Sequence, residues 1–182
     1  MIKIKKIFCI VLASVCVFGM AGCKEKSDEK PSQQVNESEV TDEETAPDFT
    51  IDLIDGGKFT LSEQEGKVVF INFWATWCSP CVKEMPAIEK LHQEYGDEVS
   101  IVGIDVGDNK ETVASFMKEQ GYTYPVACDL TGNVVDKYPT DGIPYSVIVG
   151  KDGKIAETMV GAKDANSQYQ RLKTAIDAAI QK

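Results

Sequence analysis

The chain has 182 residues, with 29 Asp and Glu against 19 Lys and Arg for a formal net charge of −10, six Cys and a single His. That length accommodates one ordinary domain plus an extension, and the acidic balance leaves no basic surface to neutralise a phosphate backbone, which excludes nucleic acid as a partner. One imidazole cannot supply the two or three that His-ligated metal catalysis usually needs, so no metal and no other cofactor is expected.

Taken in chain order, Lys3, Lys5 and Lys6 precede the apolar run Ile7 to Phe18, and Gly19-Met20-Ala21-Gly22-Cys23 closes it with small residues. This is the layout of a secretory signal, and it falls short of the roughly 20 apolar residues a spanning helix wants. Met20-Ala21-Gly22-Cys23 resembles the lipobox of bacterial lipoproteins, with Met where Leu is more usual. The resemblance implies a signal peptide over residues 1–22, cleavage before Cys23 and a thioether-linked diacylglycerol on Cys23. Cys9 and Cys16 would leave with the signal, and the three lysines lost make the remaining chain more acidic still. The implied location is the outer face of the bacterial cytoplasmic membrane, reached through this lipid anchor. Beyond Cys23, residues 24–48 are rich in Asp, Glu, Lys, Ser and Gln with almost no large apolar side chain. They cannot repay the entropy of folding, so residues 23–48 are read as a lipidated Cys and a solvated acidic tether.

Residues 49–182 make up an ordinary single domain. Phe49 to Ile54 and Lys58 to Leu61 read as two short strands about Gly56-Gly57. Lys67 to Trp74 is a continuous β-branched and aromatic run, the pattern of a strand buried on both faces. Ser79 to Tyr95 spaces Val82, Met85, Ile88 and Leu91 for one helical face, with Pro86 expected to remove a hydrogen bond and kink the helix. Val99 to Val106 is the next buried strand, followed by a helix capped by Asp108 or Asn109 and ending at Gly121. Tyr124 to Cys128 suggests a short strand and Val134 to Tyr138 a helical turn. Tyr145 to Val149 and Ile155 to Val160 suggest a hairpin, and a last helix starts near Asn166. Parallel strands with crossover helices followed by an antiparallel hairpin imply an α/β fold with a mixed central sheet covered on both sides.

The chemistry sits at Cys78-Ser79-Pro80-Cys81, between a buried strand and the start of a helix. At a helix N-terminus, partial positive charge and free N–H groups favour a thiolate, lowering the pKa of Cys78 below the free value of about 8.5. Cys81 lies one turn deeper, within disulfide reach and less exposed. Cys78 is therefore expected to attack a substrate disulfide, and Cys81 to resolve the mixed disulfide that results. Haem attachment would need His after the second Cys, where Val82 stands. Zinc would need further ligands, and only Cys128 and His92 remain in the domain.

Phe73-Trp74-Ala75-Thr76-Trp77-Cys78-Ser79-Pro80-Cys81, Glu84, Pro86 and the later Gly142-Ile143-Pro144 resemble the thioredoxin superfamily, in its membrane-tethered TlpA/ResA-like branch. The likeness runs from Ala46 to Lys182. It implies a thioredoxin fold with an N-terminal β-hairpin and a central αβ insertion, the latter fitting the residues between Val106 and Tyr138. It also implies that Ile143-Pro144 is cis, faces the Cys pair and shapes a substrate groove; Tyr145-Ser146 stands where a Thr-containing continuation is commoner. Trp77 and Pro80 are expected on the same contact surface, and Trp74 in the core. Asn72 occupies the position of thioredoxin's buried Asp, so another acid must manage the proton. Glu84, on the same side of the helix as Cys81, has an active-site role by this resemblance: a carboxylate there raises thiol pKa values and can take the Cys81 proton.

The expected activity is that of an exported thiol-disulfide oxidoreductase acting mainly as a reductase, a direction that comes from the resemblance because Ser-Pro between the cysteines does not set a potential. The resemblance implies disulfide-containing exported proteins such as apocytochrome c as substrates, and a membrane electron donor of the DsbD/CcdA type. A disulfide oxidase, the same chemistry in the other direction, and an isomerase both stay open. A thiol peroxidase would need a Pro-x-x-x-Thr-x-x-Cys loop, which is missing around Thr76. A Sco-like copper carrier spaces its cysteines by three and adds a His, and His92 belongs to another part of the helix. Cys128, in an apolar strand, is expected to be a small core residue.

Overall fold

In the computed structural model, which describes residues 44–182, the chain runs β1 (Thr50–Asp52), β2 (Lys58–Thr60), β3 (Val68–Trp74), α1 (Ser79–Tyr95), β4 (Val99–Asp105), α2 (Lys110–Gln120), β5 (Val126–Cys128), β6 (Tyr145–Val149), β7 (Ile155–Val160) and α3 (Ala165–Ile180). Cys23, the 1–22 segment and the tether up to residue 43 lie outside the described residues. The sheet order is β5-β4-β3-β6-β7, with β1 and β2 forming a separate hairpin. β3 pairs in parallel with β4 and antiparallel with β6, so the order of connection switches at the strand that leads into the Cys pair. Ligand sites of open α/β sheets lie at the carboxyl ends of strands at such a switch. The thioredoxin fold, its N-terminal hairpin and its αβ insertion, here α2 and β5, are all present.

All seven residues of β3 are buried, as a strand covered on both faces requires. On one face Val68, Phe70 and Trp74 join Met85, Ile88 and Leu91 of α1, Val113 and Met117 of α2, and Leu172 and Ile176 of α3. On the other, Ile71 and Phe73 meet Phe49, Phe59 and Tyr138; here the β1–β2 hairpin and a single 3-10 turn, Val135–Lys137, form the cover. Each such large side chain, fully buried, contributes about 1.5–3 kcal/mol.

Local signals account for most boundaries. Asn109 caps α2 by accepting the Thr112 N–H at 2.9 Å, and Gly121 closes the helix in the left-handed region at φ 75°. Pro86 is exposed, and α1 runs through it as one helix. β5 starts at Val126 rather than Tyr124: Pro125 has no N–H to give a ladder, and Tyr124 is buried by packing instead.

Composition places residues 44–48 in the tether, yet Ala46 is buried and its N–H bonds to Gly153 O at 3.0 Å, while Ile155 N–H bonds to Glu44 O at 2.8 Å. Packing therefore begins before Phe49. These residues lie along the start of β7, supplying partners to a sheet edge that would otherwise be open.

Candidate active site

Cys78 is the N-cap of α1, and its Sγ accepts the Cys81 N–H at 3.3 Å. The two cysteines are joined as a disulfide with Cα atoms 5.2 Å apart. Cys78 retains 5% exposure whereas Cys81 has none, so of the two residues Cys78 is the more open to solvent. In the dithiol, the same N–H and the helix N-terminus favour the Cys78 thiolate.

One turn along α1, Glu84 is completely buried. Residues three apart on a helix share one side of it, so Glu84 lies on the Cys81 side of α1. Its Oε1 accepts from Asn72 Nδ2 and its Oε2 from Gln168 Nε2, both at 2.8 Å. Asn72 Nδ2 also donates to Ser146 Oγ at 3.2 Å, while Gln168 Oε1 accepts the Lys163 N–H at 3.2 Å. Burial pushes Glu84 up to about 7, against the opposing pull of the two amide hydrogen bonds. A carboxyl group with that pKa can gain or lose a proton near neutral pH.

The residues expected to face a substrate differ in exposure. Trp77 is 68% exposed, an unusual placement for a Trp unless it meets a partner. Pro80 is exposed within the first turn of α1. Ile143-Pro144 is cis, leads directly into β6, and leaves Ile143 half-buried and Pro144 buried. Trp74 is fully buried as expected.

A family model for the AhpC/TSA family matches residues 43–158. The chain belongs to the AhpC/TSA family, within the thioredoxin superfamily. Among AhpC/TSA relatives, the thiol-disulfide oxidoreductase ResA of Bacillus anthracis is 37% identical over 129 residues, covering 70% of this chain and 75% of the relative. A solved thiol:disulfide interchange protein of the thioredoxin family from Chlorobium tepidum TLS is similar at 28% identity with a TM-score of 0.66, covering 75% of this chain and 96% of that one. The pneumococcal exposed lipoprotein thioredoxin Etrx1 from Streptococcus pneumoniae is similar at 28% identity with a TM-score of 0.60, covering 70% and 99%. With such relatives, this AhpC/TSA member is a thiol-disulfide oxidoreductase.

His92 is half-buried about 16 Å along α1 from Cys81, away from the pair. Cys128 is half-buried at the end of β5 rather than deep in the core, and burial, reinforced by Asp105 and Asp108, pushes its thiol up to about 11. Gln168 was not anticipated among the site residues. Its signal was a polar residue on the apolar stripe of α3, four before Leu172, where an unpaired amide would be costly.

Proposed function

We propose that the protein reduces disulfides in exported proteins. The observation carrying this reading is the buried Glu84 carboxyl group, one helical turn beyond Cys81: once ionised, its negative charge disfavours thiolates and so favours the disulfide form of the pair, which makes the dithiol a stronger reductant. Cys78 thiolate attacks one sulfur of the substrate disulfide and the other leaves as a thiolate that takes a proton. Glu84 accepts the Cys81 proton, Cys81 attacks Cys78 Sγ, and the second substrate sulfur leaves. Two electrons pass to the substrate with two protons, one from water in place of the proton Cys78 had already lost and one handed on by Glu84, and the pair ends as a disulfide. Trp77, Pro80, Ile143 and Pro144 line the contact surface for the substrate chain.

A site that ends oxidised needs a dithiol donor, which fits an electron carrier of the DsbD/CcdA type in the membrane. The similarity to an exposed lipoprotein thioredoxin supports the reading of Cys23 as a lipid anchor, with residues 1–22 as its signal and the acidic segment as tether. Apocytochrome c, whose paired cysteines must be reduced before haem attachment, is the substrate favoured by the resemblance to the ResA-like branch. The test is coupled turnover in vesicles with the tethered protein and oxidised apocytochrome c. Dithiol should appear in the substrate only while Cys78 and Cys81 are both intact, and substrate that stays oxidised would refute the reading.

A further inference from the structure

The turn between β4 and α2 reaches across to the loop that carries the redox pair. Asp105 ends β4 fully buried, and its Oδ1 accepts the N–H groups of Gly107 at 2.9 Å and Asp108 at 2.7 Å. The turn so formed presents Asp108, whose Oδ2 accepts both the N–H of Thr76 at 3.0 Å and its hydroxyl at 2.8 Å. Asn109 caps α2, which leaves the Asp108 carboxylate to the loop. Two further contacts bind the same segments: Val106 N–H bonds to Trp74 O at 2.9 Å, and Trp77 lies over Gly107 so closely that a Cβ there would sit 2.5 Å from Trp77 Nε1. The loop then enters the motif through the Cys78 N–H bond to Ala75 O at 3.1 Å.

We propose that Asp108 is a positioning residue for thiol-disulfide exchange. Its two hydrogen bonds to Thr76 fix the segment bearing Trp77 and Cys78, so the inserted α2–β5 element braces the redox centre from the side opposite the β6 strand. Hydrogen bonds to an ionised carboxylate are among the stronger ones. Without them the Thr76 hydroxyl loses its partner, its N–H keeps only the weaker pull of Asp105, and the loop gains freedom just where the attacking sulfur must be aligned. The inference rests on Cys78–Cys81 being the exchange site, not on the direction of exchange.

The test compares Asp108→Ala, Asp108→Asn and Thr76→Val in the described domain with its tether, after the exchange activity of the parent has been measured. That first measurement separates failure of the redox reading from failure of this one. Readouts are the rate constant for exchange with a protein disulfide and the pH profile of Cys78 alkylation in the reduced protein. Asp108→Ala is expected to slow exchange by roughly 10- to 100-fold, the cost of misplacing a reacting group, and to show an alkylation profile at higher pH than that of Asp108→Asn, which loses the same charge but keeps the acceptor. Asp108→Asn, whose amide oxygen can accept both Thr76 donors, is expected within about threefold of the parent, and Thr76→Val, losing only the hydroxyl bond, between the two. An Asn variant as slow as the Ala variant, or an Ala variant as fast as the parent, overturns the proposal. Should the Ala variant fail to fold, Thr76→Val decides: exchange at the parent rate with an unmoved alkylation profile overturns it.

Discussion

Asn72 and Glu84, one in the middle of the central strand and one on the first helix, are joined by a 2.8 Å hydrogen bond inside a site where neither side chain is more than 1% exposed. The pairing suits an amide rather than an acid at this point of β3. A carboxylate at position 72 would face the Glu84 carboxylate, whereas the amide donates to it and to Ser146.

Replacing Glu84 by Gln should slow resolution by Cys81 by about a hundredfold, the lower end of general-base effects. The step near pH 7 in the pH–rate profile should vanish. Retention of that step in the variant would assign it to another group.

Glu84 also links folding to pH. Its folded value of about 7 lies above the ordinary 4.5, so the oxidised folded protein holds a proton that the unfolded chain releases. The stabilisation is complete below pH 4.5, declines as pH rises through 7, and amounts to about 3 kcal/mol over that window. Urea midpoints measured across it should fall with rising pH, and should fall much less in Glu84→Gln.

Asn72→Asp places two carboxyl groups on one hydrogen bond. The pair then shares a proton, its upper apparent pKa rises above that of Glu84 in the parent, and stability at neutral pH falls. A pH–rate profile displaced to higher pH, with a lower melting temperature at pH 8 than at pH 6, is the expected result. A superimposable profile would show that Glu84 does not govern the rate.

Gly103 sits opposite Asn72 in the β3–β4 register. A Cβ there would lie 3.1 Å from both Trp74 Nε1 and the Tyr124 ring, and 3.3 Å from Val126. These are rigid core groups, so Gly103→Ala should cost about 1–3 kcal/mol by overpacking. The check is the urea midpoint at constant m-value, and an unchanged midpoint would contradict the packing described.

Much of this was legible in the residues themselves. The β-branched run of β3 and the Cys-x-x-Cys at its end announce a buried strand running into a helix N-terminus, because local periodicity and capping chemistry determine both. Glu84 was legible as a carboxylate on the Cys81 side of α1. Its partners were not: Gln168 is 84 positions away in sequence and Ser146 is 74 from Asn72, and contacts at that separation depend on how α3 and β6 dock. Asp108 could be read as a helix cap, the local use of an Asp before a helix. Its bond to Thr76 crosses from one strand end to the next and is set by the parallel pairing of β3 with β4. The burial of Ala46 escaped composition for a similar reason, since a polar segment can lie on a sheet edge through its backbone alone.

The reductase reading is tested most directly by the reduction potential of the Cys78–Cys81 pair, by equilibration against dithiothreitol or glutathione couples with thiol trapping. A value near or below thioredoxin's about −270 mV is expected, since the ionised Glu84, one helical turn beyond Cys81, disfavours the dithiolate. A value close to the roughly −120 mV of strong disulfide donors would reverse the direction of electron flow and contradict the role assigned to Glu84.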